Sequence, residues 1–363
     1  MYIGIDLGTS GVKTILTDES GKVVDSASSS LTVAIPQPLW SEQNPEDWWT
    51  ATCATLDELK QRNDLSVVKA LGLAGQMHGA TLLDKAGRVL RPAILWNDGR
   101  SEAQCRTLEN TVAKARVITG NLVMPGFTAP KLLWVKENEP DTFKQVDKVL
   151  LPKDYLRYKL TSEFASDMSD SAGTSWLNTG ERSWSKTMLM ACGLSEKHMP
   201  ALYEGNEVTG YLTAEAAGRW GMGAIPVVAG AGDNAAGAVG CGIVDAGQAM
   251  LSLGTSGVYF AVTNDYRSDP ESAVHSFCHA IGHRWHLMSV MLSAASCLDW
   301  FTKNSGYRSV AELFDDVVNN TRPDDPNTPF FLPYLTGERT PHNNPNAKAG
   351  FFGLTASTTR AHM

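Results

Sequence analysis

The hexapeptide LGTSGV occurs twice, at Leu7–Val12 within YIGIDLGTSGVKTIL and at Leu253–Val258 within QAMLSLGTSGVYFAV. Each copy lies between two apolar, strand-like runs, so each reads as a strand–turn–strand hairpin with glycines at the corners. Glycine corners allow positive φ and a close approach of backbone to ligand. The exposed N–H groups of such a turn, with its Thr and Ser hydroxyls, form a concave donor set suited to phosphate oxygens. An ordinary hairpin uses the same residues for local reasons. The repetition, once at the start of each half, favours a paired phosphate grip built from Gly8, Thr9 and Ser10 in one copy and Gly254, Thr255 and Ser256 in the other.

The first copy carries more chemistry than the second. Asp6 sits in an apolar strand, where a carboxylate is costly unless paired or bound to a cation. Beside a phosphate grip the natural cation is Mg2+, which takes one or two carboxylates together with phosphate oxygens and water. Lys13 follows the turn, placed to lean on a transferred phosphate. The second copy has Ser252 and Tyr259 at the corresponding positions, so the two share a device and divide the chemistry. Neither copy is a P-loop, because Val12 interrupts the Gly-Lys-Thr order and a strand follows where a helix is needed.

The chain of 363 residues allows two or three domains. Its 43% hydrophobic and 19% charged residues suit a soluble globular protein. A net charge of −8 argues against nucleic acid as a partner. The N-terminus enters a strand pattern without a basic or apolar leader, and the longest apolar run, Leu287–Leu298, is too short and serine-rich to span a bilayer. No membrane association is therefore expected. Six scattered cysteines, none in CxxC spacing, read as reduced thiols of a cytoplasmic protein.

Along the chain, strands over residues 2–33 give way to a helix in NPEDWWTATCATLDELKQR, capped by Asn44 with Pro45 in the first turn. VKALGLAGQ is a buried strand running into GQMHG. Residues 102–158 read as mostly helical, broken by a loop at MPGFTAPK, and EFASDMSDSAGTSWLN reads as a loop between short strands. A boundary falls near residues 242–247, giving an N-terminal domain over 1–243, a second over 244–355 about half as long, and a tail over 356–363.

GAGDNAAGAVG places one acid, Asp233, in a glycine-rich opening with Asn234 beside it. A hydroxyl attacking a γ-phosphate needs a proton acceptor, and an aspartate can serve. Capping of the following small-residue helix is the alternative role. A dinucleotide-binding reading of the same glycines fails, because Asp233 would face the pyrophosphate. His78 in GQMHG, at the end of a strand, could bind a polyol hydroxyl or be structural. The imidazoles of HSFCHAIGHRWH lack the spacing of a metal site.

Together, GIDLGTSGVK, GQMHG, GFTAPKLLWVKEN, PKDYL, GAGDNAAGAVG and LSLGTSGV resemble the FGGY carbohydrate kinases of the actin/hexokinase/Hsp70 ATPase superfamily. YLTGERTPHNNPNAKAGFFGL and GQMHGATLLD are similar to its pentulose-kinase branch. The resemblance implies an α/β fold of two RNase H-like domains around a cleft, the second incomplete. It implies ATP and Mg2+ as cofactors and phosphorylation of D-xylulose on its 5-hydroxyl, with Asp233 as base and Asp6 positioning Mg2+ or phosphate. It further implies Met77, His78 and Asn234 as sugar contacts and a homodimer as an unsurprising state. Ribulose, gluconate or glycerol as the substrate, or a non-catalytic sugar-binding remnant, are the alternatives. Family members continue beyond the FFGL motif, whereas this sequence ends in TASTTRAHM. That ending predicts a truncated second domain with exposed apolar surface, and impaired ATP binding and turnover.

Overall fold

The computed structural model describes residues 1–322 and 324–363. Two compact units emerge. The first comprises residues 1–246, 262–267 and 276–286; the second comprises 247–261, 268–275 and 287–363.

The first unit is organised by one twisted sheet. Strands β1 (Tyr2–Leu7), β2 (Gly11–Thr17) and β3 (Val23–Ser30) form an antiparallel meander. Helix α1 (Pro45–Arg62) then crosses over, and β4 (Ala70–Gly75) pairs parallel to β1. Further along, β5 (Val208–Tyr211), β6 (Pro226–Val228) and β7 (Ala231–Gly232) complete the sheet, whose order is β5-β6-β4-β1-β2-β3 with β7 beside β4. A three-stranded meander, a helix and a parallel strand is the RNase H-like order.

Alternation in β1 puts Ile3, Ile5 and Leu7 into the core with Val12, Leu16, Trp48, Leu56 and Leu73. Asp6 therefore faces the other way and is exposed. The carboxylate is not buried within the strand, as its apolar neighbours suggested, because a period of two separates the faces. The side chain of Asn44 accepts from the N–H of Glu46, closing the start of α1 as its sequence predicts.

Two stretches differ from expectation. The second half of the loop expected at MPGFTAPK is the first turn of α2 (Thr128–Asn138), which tolerates Pro130 because a first-turn N–H needs no helical partner. After α3 (Pro152–Thr161), the supposed loop at 163–178 contains a short strand, Ala165–Asp167, and a helical turn, α4 (Met168–Ala172). The Asp167 carboxylate accepts from the N–H groups of Ser169 and Asp170, so a cap nucleates a helix in a polar sequence. Helix α5 (Asp233–Gly240) follows β7 directly.

In the second unit β8 (Ala249–Leu253) pairs antiparallel with β9 (Gly257–Thr263) through Ala261. Helices α6 (Ser296–Asn304) and α7 (Val310–Asn320) follow, then the short ribbon in which Phe331 opposes Phe351. The final residues pack on this unit: the Arg360 guanidinium lies 4.0 Å from the Tyr307 ring, and Ala361 is buried.

Candidate active site

The C-terminal ends of β1, β4 and β7 converge. Asp6 and Ala231 are both level with Ala74 of β4, one on each side. Two strand spacings, roughly 10 Å, thus separate the rows carrying Asp6 and Asp233. Such carboxyl ends of parallel strands are where α/β sheets hold ligands.

Gly230 makes the splice possible: it has φ +70°, and a Cβ there would lie 1.8 Å from the Leu73 carbonyl oxygen. Its bend lets β7 run beside β4 and delivers Asp233 as the first residue of α5. The Asp233 Oδ1 accepts from the N–H of Asn234 at 2.7 Å and from its side-chain amide at 2.9 Å. The carboxyl is accessible to solvent yet surrounded by protein. That surrounding protein pushes it up to about 6, with Asp6 adding to the rise and the bonds from Asn234 opposing it. Asp6 is raised for the same reason, with Lys13, its partner across β2, pulling it down.

The GQMHG loop follows β4. Met77 is buried and lies against Gly232, where a Cβ would sit 2.8 Å from Met77 Cγ. His78 adopts φ +69°, a left-handed conformation uncommon outside glycine. Its Nδ1 donates to the carbonyl of Gly173 at 2.7 Å, which makes Nε2 the acceptor nitrogen of the neutral ring. Phe127 packs on the imidazole with centroids 4.8 Å apart. Helix α4 serves both loops: Gly173 holds His78 at one end, and at the other the Ser169 hydroxyl accepts the N–H of Gly232 at 3.2 Å.

Around the first hairpin, a closed ring of bonds ties Thr9 to the strand loop behind it. The Thr9 hydroxyl donates to Gln76 Oε1 (3.1 Å), Gln76 Nε2 to Gln43 Oε1 (3.1 Å), and Gln43 Nε2 to the Thr9 carbonyl (2.7 Å). Trp96 Nε1 also donates to the Thr9 hydroxyl. That hydroxyl is therefore committed to protein, and the backbone N–H is what Thr9 can offer an anion. The N–H of Gly8 closes the turn onto the Gly11 carbonyl, while those of Thr9 and Ser10 take no partner among the described residues.

In the second unit the other hairpin closes differently, with the N–H of Gly254 on the Ser256 carbonyl. The carbonyl of Thr255 accepts from Ala294 N–H and the Ser296 hydroxyl.

Asp6, Gly8, Thr9, Ser10, Lys13, Met77, His78, Asp233 and Asn234 all belong to the first unit, whereas Gly254, Thr255 and Ser256 belong to the second. Sequence reading did not single out Gln43, Gln76, Trp96, Phe127, Ser169 or Gly173. Gln76 and Phe127 lie inside motifs that were quoted, but their partners come from distant segments.

The FGGY family of carbohydrate kinases matches this chain with its N-terminal domain over residues 1–240 and its C-terminal domain over residues 249–363. The chain is 65% identical over 356 residues to the xylulose kinase of Escherichia coli, covering 98% of this chain and 73% of the relative. It is 64% identical over 355 residues to that of Klebsiella pneumoniae, with the same coverage of 98% and 73%. Among solved structures, a xyloylose kinase from Brucella ovis superposes with a TM-score of 0.95 at 50% identity, over 99% of this chain and 74% of that one. With both family domains matched and the carboxylates, hairpin and GQMHG loop assembled at the strand ends, the chain belongs to the FGGY family of carbohydrate kinases.

Proposed function

We infer that this protein transfers the γ-phosphoryl group of ATP to D-xylulose, giving D-xylulose 5-phosphate and ADP. The observation that carries the reading is Asp233: a raised carboxylate at the open end of β7, next to Gly232, which packs on Met77, and across β4 from the phosphate hairpin. The relatives named xylulose kinase supply the sugar.

In the proposed reaction Asp233 accepts the proton of the 5-hydroxyl as that oxygen bonds to the γ-phosphorus. The bond from phosphorus to the β–γ bridging oxygen breaks, and ADP leaves with that oxygen's electron pair. A base with a pKa near 6 is ionised at neutral pH and still accepts a proton readily. Nε2 of His78 accepts a bond from a sugar hydroxyl, Met77 lines the pocket, and Asn234 orients the base. The N–H groups of Thr9 and Ser10 hold phosphate oxygens, with Lys13 adding positive charge; Gly254, Thr255 and Ser256 are assigned to phosphate as well. Asp6, open to solvent and only partly offset by Lys13, fits a cation such as Mg2+. When bound, that ion would screen the phosphate charge; Asp6 is the residue that would hold it.

The test is phosphoryl transfer from ATP to D-xylulose, ribulose, gluconate and glycerol. D-Xylulose should give the highest kcat/KM, and Asp233→Asn should lower kcat by about 10²–10⁴. Preference for another sugar, or an Asp233→Asn variant with unchanged kcat, would overturn the assignment.

A further inference from the structure

We propose that Lys131 is a positioning residue for His78, clamping the backbone of the GQMHG loop to the loop that carries Phe127 and so fixing the imidazole that meets the sugar. This rests on the sugar reading of His78 given above. Lys131, in the first turn of α2, is completely buried. Its ammonium bonds two backbone carbonyls from different loops, His78 O at 2.9 Å and Gly126 O at 2.7 Å. The Thr128 hydroxyl, one turn earlier, donates to the same His78 oxygen at 3.1 Å, so both acceptor directions of that carbonyl are used.

Packing alone does not account for a lysine here. A leucine or methionine would fill the space without the cost of burying an ammonium, and burial pushes this one down to about 7. What an apolar side chain could not do is hold two carbonyls together. His78 needs such holding, because its backbone is in the left-handed region, where a residue with a Cβ stays only if its surroundings impose it. The clamp acts on the peptide of His78, while Gly173 and Phe127 act on its ring. With Gly126 and His78 drawn to one nitrogen, Phe127, next in sequence to Gly126, is brought against the imidazole.

Two measurements on the intact chain test this. The first needs no ligand: 15N–1H spectra of the His78 ring in wild type and Lys131→Met. Wild type should show a single Nδ1–H tautomer, and the variant a mixture of tautomers with other histidines unchanged. An unaltered His78 signature in a folded Lys131→Met protein would sink the proposal. The second is calorimetric titration with D-xylulose in a double-mutant cycle. Lys131→Met should weaken binding by about tenfold to a hundredfold, and should weaken it little further once His78 is alanine. Fully additive losses would mean that Lys131 does not act through His78. Should wild type fail to bind D-xylulose, the sugar reading falls while the ring spectra still decide the clamp. Thr128→Val removes the companion donor with less disturbance to the core, and should alter the His78 signals in the same sense if Lys131→Met does not fold.

Discussion

As the proposed base, Asp233 would couple activity to pH with a definite sign. Its carboxyl is raised in the folded protein above the ordinary value of 3.8, to about 6. The base form is lost as pH falls, so kcat/KM should rise through pH 6 and level off above it. Stability runs the other way. The unfolded chain ionises this acid more easily, so the folded state carries a penalty that is fully present above about pH 6 and absent below about 3.8. Asp233→Asn should therefore raise Tm at pH 8 and leave it nearly unchanged near pH 4; scanning calorimetry at both values checks this. Gly173 offers a second test, because a Cβ there would lie 2.4 Å from His78 Nδ1. Gly173→Ala should weaken D-xylulose binding by about tenfold or more through displacement of the imidazole, with a Tm loss of only a few degrees. Unchanged affinity would show that the position of His78 does not govern binding. Of these residues Asp233 and His78 were legible in the sequence from their glycine settings. Gly173 was not, because nothing in a polar stretch of small residues reveals which distant ring it faces.

At the scale of elements, α4 depends on a buried charge cluster. Lys153 of α3 lies 2.8 Å from Asp154, 2.6 Å from Asp167 and 3.2 Å from Asp170, all fully buried, with Arg157 alongside. Burial alone would depress the Lys153 ammonium, but the three carboxylates more than offset that and raise it. Burial also drives Asp170 well above the usual carboxylate range, despite Lys153. Lys153 is thus the cation at the centre of three buried acids, with Arg157 beside Asp154 as a second. Lys153→Met should remove that central cation and cost ~3–5 kcal/mol in urea unfolding, since buried acids lose their partner. A loss below ~1 kcal/mol would show that the cluster relaxes by taking up protons or water. The helices α1 and α5 could be read from caps and small-residue runs. Helix α4 escaped because its formation rests on the Asp167 cap and on Lys153, not on an apolar period.

Across the whole molecule, large apolar side chains in the second unit remain open, among them Leu253, Phe314, Val318 and Phe330. Val318, on α7, is 78% exposed and Phe314 is 51% exposed. Contiguous exposed apolar surface of this kind promotes association. Sedimentation velocity at tens of micromolar should show self-association of the wild type and less of it for Val318→Asp combined with Phe314→Ser, with stability changed by no more than about 0.5 kcal/mol per site. Indistinguishable sedimentation of variant and wild type would remove that surface as the cause. The β-meander, the first helix and the buried strand in VKALGLAGQ were legible from periodicity, while the RNase H-like order was implied by the family resemblance. The interruption of the units at residues 262–267 and 276–286 was not, because chain segments change partners there without any change in composition.

LGTSGV shows where local sequence stops deciding. Its residue types dictated a glycine-cornered hairpin in both places, because few other turns accommodate that order between strands. Register was decided elsewhere. In the first copy Leu7 opposes Val12, and in the second Leu253 opposes Gly257. Leu7 is fully buried, while Leu253 is 64% exposed. Six identical residues cannot choose between these outcomes; the strands they join, anchored by the core on one side and by β4 in the first unit alone, make the choice.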